Sequence, residues 1–322
     1  MRFATFTEGG QPRAAVVSES GLHPLPAGTA VLDLVRAGLP SALAYGEAAL
    51  AESPIPLASV RLLPPLEPPT VRDFVTFEEH VEGMVKGASP DGTVPSEWYQ
   101  APTFYFTNPY ALIGAHDDVA IPANCELLDF ELEVAVVVGR DGTSLTPEQA
   151  REHVFGYTIL NDWSARDLQR REMTVQLGPA KGKDFATTLG PWIVTADELE
   201  PYVDADGFLG LDLRVSVNGT ELGQDLLSNM GWPFPELVAY ASRNTWVRAG
   251  DVLGSGTCGN GGCLGELWGR SGRLEPPPLR QGDVVEMTVE GIGTIRNRVV
   301  AGLELPPVPT ARLRPRLRKR PQ

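Results

Sequence analysis

The sequence predicts a β-rich α+β fold, and three observations predict it. Short runs of β-branched and apolar residues recur along the chain, separated by Gly, Pro and Asn. Segments with helical patterning are few and brief. The 34 glycines and 29 prolines among 322 residues supply the turns that many short strands need. Hydrophobic content of 42% beside 21% charged residues is that of a globular chain with a core.

The elements follow in order. Arg2–Phe6 and Ala14–Ser18 read as strands split by the turn residues Glu8-Gly-Gly-Gln-Pro12. Val31–Ala37 and Ser41–Ala51, rich in Ala and Leu, read as helices. Pro64-Pro-Leu-Glu-Pro-Pro69 interrupts both kinds of regular structure, so residues 1–65 are expected to form a small separate domain and 66–307 a larger one. Within the larger unit, Leu132–Val138 is almost wholly apolar, as a strand covered on both faces would be. Thr146-Pro-Glu-Gln149 opens a helix expected to reach about Val154. Leu211–Val217 ends in Asn218-Gly219, a strong hairpin signal, and Val284–Val289 with Thr294–Val300 forms a second hairpin. Pro235–Ser242 reads as a helix. Residues 308–322 form a basic tail expected to be disordered.

Charge and cysteine content exclude several function classes. With 41 acidic and 27 basic residues the net charge is −14, which argues against a general nucleic-acid or anionic-membrane binder. The last twelve residues hold six Lys/Arg, so the remainder, with 21 basic against 41 acidic residues, carries −20. No run of 18 apolar residues is present, and the first residues do not read as a signal peptide. Three cysteines are too few for a disulfide scaffold and fit reduced thiols in a cytoplasm; Cys258 and Cys263 lack the paired spacing of a zinc site.

Chemistry-bearing residues stand where propensity does not favour them. Glu131 and Glu133 interrupt the apolar run Phe130–Val138 and, two apart on a strand, leave the same face. A nearby cation would relieve their repulsion, and oxygen-only donors favour Mg²⁺, Mn²⁺ or Ca²⁺; the alternative is an edge strand with a solvated acidic face. Asp162 follows the apolar run Val154–Leu160 and is either a third carboxylate for the same site or a helix cap. Arg166 and Gln169 are neighbours on a helical turn, suited to gripping a carboxylate or carbonyl. Lys181 and Lys183 sit among glycines that let backbone approach a ligand, or simply make a surface loop. Gly254–Gly262 is a run of backbone donors suited to cradling a carboxylate, or a structural turn. His80 follows the proline boundary, and Gly87–Gly92 reads as a hinge for an active-site lid.

Taken in order, these segments resemble the fumarylacetoacetate hydrolase family over about Thr70 to Leu305, most closely in Cys125-Glu-Leu-Leu-Asp-Phe-Glu-Leu-Glu133 and Asn161-Asp-Trp-Ser-Ala-Arg-Asp-Leu-Gln169. The resemblance implies a mixed β-sandwich roll, a homodimer, and a divalent metal, Mg²⁺ first, on Asp73, Glu131, Glu133 and Asp162. It implies His80 as general base and Glu266, in Cys263-Leu-Gly-Glu-Leu-Trp268, as the acid orienting it. Arg166, Gln169 and either Lys183 or Lys181 fall on groups binding substrate or oxyanion, Tyr105 and Thr257 on substrate contacts. The activity so implied is hydrolysis of a C–C bond in a 1,3-diketo acid, fumarylacetoacetate or an acylpyruvate, in aromatic catabolism. The alternative on the same site is decarboxylation, tautomerisation or hydration of a small keto acid such as oxaloacetate. Met173 stands where the resemblance leads to a substrate-contacting tyrosine, and Ser89 where it leads to a basic residue.

Overall fold

The computed structural model describes residues 1–89, 91–314 and 316. Two main β-sheets share one core, beside two small two-stranded ones. The larger has 11 strands, and its main path runs Gly21–Pro24, Arg13–Ser18, Arg2–Thr7, Thr187–Thr195, Val154–Asp162, Leu132–Val138, Val252–Gly254, Val71–Phe74, Phe104–Thr107. The smaller has five, in the order Thr220–Leu226, Asp212–Val217, Val284–Val289, Gly293–Val300, Val119–Ala120. The arrangement is the expected strand-rich α+β fold without a closed barrel.

Leu132–Val138 explains the layering. Val134, Val136 and Val138 point into the core shared with the smaller sheet, beside Leu213, Val215, Met287 and Ile295. The alternate residues Ala135 and Val137 point the other way, into a second core with Phe3, Val16, Leu34 and Phe155. The strand is apolar because both faces are covered.

The amino-terminal residues, set apart by the proline run, are joined to the rest by the main sheet. Arg2 pairs with Val194 and Phe3 with Ile193. The prolines mark where the chain crosses over, and the helices Val31–Ala37 and Leu39–Ala49 close the second core. The Thr146 cap forms with its reciprocal Gln149 bond, but the helix it opens is only Pro147–Arg151. Val154 is already paired with Val138, so the sheet ends that helix sooner than its own pattern does. Asn218 and Gly219 take φ of 53° and 79°, the left-handed pair that a tight hairpin needs.

Two short helices flank the site. Glu78–Ala88 carries His80, and Leu264–Ser271 carries Glu266. They meet glycine to glycine: a Cβ on Gly87 would lie 3.3 Å from Gly269 Cα, and one on Gly269 would strike the Gly83 carbonyl. Gly87 and Ala88, expected in a hinge, belong to the first of these helices, and Pro90 lies outside the described residues. Residues 301–314 are exposed along most of their length and without regular structure; Arg318, Lys319 and Arg320 of the basic tail lie outside the described residues. Among the described residues, no helix is long and apolar enough to cross a membrane.

Ile159 is fully buried between the sheets. Ile159→Ala should lower the unfolding free energy by about 2–5 kcal/mol in a urea titration with unchanged slope. A midpoint equal to the parent's would show that this core is not close-packed.

Candidate active site

Strand pairing, rather than sequence proximity, gathers the carboxylates. Ala135 lies opposite Gly254, Gly254 opposite Asp73, and Asp73 opposite Tyr105. On the other side Glu133 lies opposite Leu160, two residues before Asp162 closes its strand. The face that packs Ala135 and Val137 therefore presents Glu133 and Glu131 at its open end. Oxygens of Asp73, Glu131 and Glu133 lie within 4.8 Å of one another, and all three residues are buried. Gly254 makes the cluster possible, because a Cβ there would stand 2.6 Å from Asp73 Oδ1 and 2.8 Å from Glu133 Oε2.

Two cations hold the cluster together. Lys183 Nζ pairs with Asp162 Oδ2 at 2.6 Å and also with Glu131 Oε2. Arg166 Nη2 lies 2.7 Å from Glu131 Oε1 and 2.7 Å from Asp129 Oδ2. Tyr105 donates its hydroxyl to Asp162 Oδ2. Burial would raise the pKa of Glu131, but Lys183 and Arg166 outweigh it and hold the carboxyl below its usual range. At Asp73 and Glu133 burial prevails: burial first, then the charge of Asp162 at Asp73 and that of Asp73 at Glu133, pushes both well above the usual range, and Lys183 offsets this at Asp73 only in part. Asp73 Oδ1 and Asp162 Oδ1 are buried without a hydrogen-bond partner. Buried carboxylate oxygens without a partner, beside three carboxylates whose oxygens lie within 4.8 Å of one another, are what a hard divalent cation takes, so this donor set fits Mg²⁺, Mn²⁺ or Ca²⁺. Asp162 joins the other three through Lys183 rather than by close approach.

His80 sits beside this cluster; one ring nitrogen lies within 4.8 Å of ligand atoms of Glu131 and Cys263. Its Nδ1 is 3.7 Å from Cys263 Sγ and 4.0 Å from Glu266 Oε2. Burial lowers the His80 pKa to about 4, so the ring is neutral, with one nitrogen lone pair open to a proton, throughout the neutral range. Glu266 is 0% exposed, and its burial raises it to about 7.

The remaining expected residues divide. Lys183 lies in the cluster, whereas Lys181 is 71% exposed and pairs with Asp184 at 2.7 Å, so of the two lysines left open by the sequence only Lys183 reaches the carboxylates. Arg166 Nη1 donates to Gln169 Oε1 at 3.1 Å. Thr257 Oγ1 donates to Glu133 Oε1 at 3.4 Å, and Gly256 N to Glu133 Oε2 at 3.2 Å. The backbone donors of Gly254–Gly262 thus serve the protein's own carboxylates: Gly261 N likewise donates to Glu266 Oε1 at 3.3 Å. Met173 is exposed at the end of the helix Arg166–Met173.

Asp129 lies inside the Cys125–Glu133 block but carries no role in the sequence reading. It accepts from Leu264 N at 2.7 Å and Gly265 N at 2.9 Å while pairing with Arg166, tying the Glu266 helix to the Glu131 segment. Its one signal in the sequence is a third acid, two before Glu131, in an apolar run.

Comparison with known proteins bears on the chain as a whole. The model of the C-terminal fumarylacetoacetate (FAA) hydrolase family matches residues 70–300. The chain is 30% identical over 247 residues to oxaloacetate tautomerase YisK of Bacillus subtilis, covering 76% of this chain and 74% of that protein. It superposes on a fumarylacetoacetate hydrolase from Exiguobacterium antarcticum with TM-score 0.70 and 28% identity, over 94% of this chain and 99% of that one. Maleylpyruvate hydrolase from Sphingobium sp. SYK-6, solved with manganese(II) and pyruvate, gives TM-score 0.69 and 25% identity over 94% and 100%.

Mg²⁺ or Mn²⁺ at a hundred times its dissociation constant should add about 2.7 kcal/mol to the unfolding free energy, read as a rise in Tm. Gly254→Ala should remove that rise, since its methyl group occupies the space between Asp73 and Glu133. Equal melting with and without the cation would show that the cluster holds none.

Proposed function

The chain belongs to the fumarylacetoacetate hydrolase family, and on that premise we propose that it is a divalent-metal-dependent hydrolase cleaving a C–C bond in a 1,3-diketo acid, fumarylacetoacetate or an acylpyruvate. The observation that carries the reading is a buried histidine, neutral at physiological pH, set between a carboxylate cluster and a second buried acid. Water activation needs a base of that kind next to the polarised carbonyl. A cation on Asp73, Glu131, Glu133 and Asp162 would supply the positive charge that favours a developing enolate.

The chain's own residues account for the rest. His80 takes a proton from water as its oxygen adds to the carbonyl carbon, with Glu266 orienting the ring through Nδ1. Lys183, and the Gln169 amide whose oxygen Arg166 already holds, donate toward the tetrahedral oxyanion. The oxyanion re-forms a carbonyl as the C–C bond breaks, its electron pair leaves as an enolate, and the proton held by His80 returns to that carbon. Two acids result. Tyr105 and Thr257 brace Asp162 and Glu133 at the substrate side, while Lys181 points to a surface pair and has no part in this scheme. The reading also carries a homodimer, which light scattering would register, and a small-molecule catabolic role in the cytoplasm.

The relative that is an oxaloacetate tautomerase favours a second reading, proton transfer on a small keto acid at the same site. A substrate panel separates the two. With Mg²⁺ or Mn²⁺, hydrolysis consumes the ultraviolet absorbance of an acylpyruvate or fumarylacetoacetate and releases two acids. Conversion of enol to keto oxaloacetate without new acid would replace the hydrolase reading with the tautomerase one. In the active assay, His80→Ala should lower kcat by about 10²–10⁴-fold while calorimetric Mn²⁺ affinity is kept; equal loss of both would make His80 structural.

A further inference from the structure

One charged side chain at this site belongs to no motif and touches no expected ligand. Arg270, 36% exposed, sends Nη2 to Glu266 Oε1 at 2.9 Å, one turn away on the same helix. The same nitrogen donates to the carbonyl of Glu79 at 3.3 Å, the residue before His80. Arg270 therefore spans the seam between the helix of Glu266 and the helix of His80.

Its effect on Glu266 is asymmetric. Both Arg270 and Gly261 N converge on Oε1, leaving Oε2 buried without a hydrogen-bond partner and 4.0 Å from His80 Nδ1. An ionised Oε2 can only accept, so Nδ1 must carry the ring proton and Nε2 keeps the free lone pair. A protonated Oε2 can donate to Nδ1, which reverses the tautomer. We propose that Arg270 is a positioning residue for the proposed reaction: it holds Glu266 by Oε1, leaves Oε2 turned toward His80 Nδ1, and so fixes Nε2 as the basic nitrogen of His80.

This proposal rests on the reading of His80 as base. The groups facing Glu266 are Arg270 and Cys263 from its own helix and cap, His80 from the neighbouring helix, Asp225 from the hairpin strand Thr220–Leu226, and Cys258 from the glycine-rich loop. His80 is neutral and the thiols are protonated, so Arg270 is the permanent cation and Asp225 the opposing anion. Burial lifts Glu266 to about 7, with Arg270 pulling it down, so losing Arg270 moves the acid further up.

Metal-loaded Arg270→Met is compared with Arg270→Lys, His80→Ala and the parent. Arg270→Met should lose about fivefold in kcat at pH 7 with KM within about twofold, because an acid half ionised near pH 7 keeps only about a tenth of its ionised form there when its pKa rises by about one unit. The acid limb of its pH profile should move up by about one unit, the deficit closing near pH 9, and Arg270→Lys should recover most of the activity. A deficit of the same size at every pH, or a profile identical to the parent's, would overturn the proposal. If His80→Ala is inactive while Arg270→Met follows the parent throughout, only the role of Arg270 falls. Full turnover by His80→Ala would remove the base reading and this proposal with it.

Discussion

Everything at this site depends on holding the carboxylates of Asp73, Asp129, Glu131, Glu133 and Asp162 out of water around the cations of Lys183 and Arg166. Lys183 pairs with Glu131 and Asp162 and Arg166 with Glu131 and Asp129, which leaves Asp73 and Glu133 without an ion pair among the described residues. A buried charge pair gains little net stability, and a buried unpaired charge costs several kcal/mol. The surrounding structure is arranged to bear that cost: rigid sheet beneath, backbone donors from Gly256 and Gly261 beside, and a glycine at the one place where any side chain would separate the acids. The imbalance is also what makes the cluster a cation site.

The positions of the two flanking helices follow from similar economy. Glu266 reaches His80 because Gly83, Gly87 and Gly269 let their backbones close to near contact, and because Asp129 accepts from the first amides of the second helix. Helix propensity is sacrificed to approach, since glycine in a helix interior costs about 1 kcal/mol relative to alanine. The pair of residues proposed to activate water is thus set by backbone contacts that contain no catalytic group.

What could be read from the sequence was mostly local. Asn218-Gly219 dictates its hairpin, the unbroken apolar run at Leu132–Val138 reports two covered faces, and Glu131 and Glu133 share a face by alternation alone. The convergence of Asp73 on Glu133 was beyond local signals, because it comes from the parallel pairing of Val252–Gly254 with Val71–Phe74. The choice between Lys181 and Lys183 was equally closed, since both sit in one glycine-flanked loop and only the path of the turn decides which is buried. The proline run suggests a domain boundary near residue 65 and carries no sign that Phe3 pairs with Ile193 across it. The glycine-rich loop advertised anion binding, and its anions proved to be side chains of the same chain.

The acids also bear on how the protein finds its fold. A strand of sequence Leu-Glu-Val-Ala-Val-Val-Val has little to distinguish one face from the other, and slipping it by one residue would exchange every side chain between the two cores. Glu133 breaks that degeneracy. In the slipped alignment its charge would enter the apolar layer now filled by Val134, Val136 and Met287. The carboxylate that burdens the native state therefore burdens its nearest misfolded competitor more, and the residue kept for chemistry doubles as the mark by which the central strand is aligned.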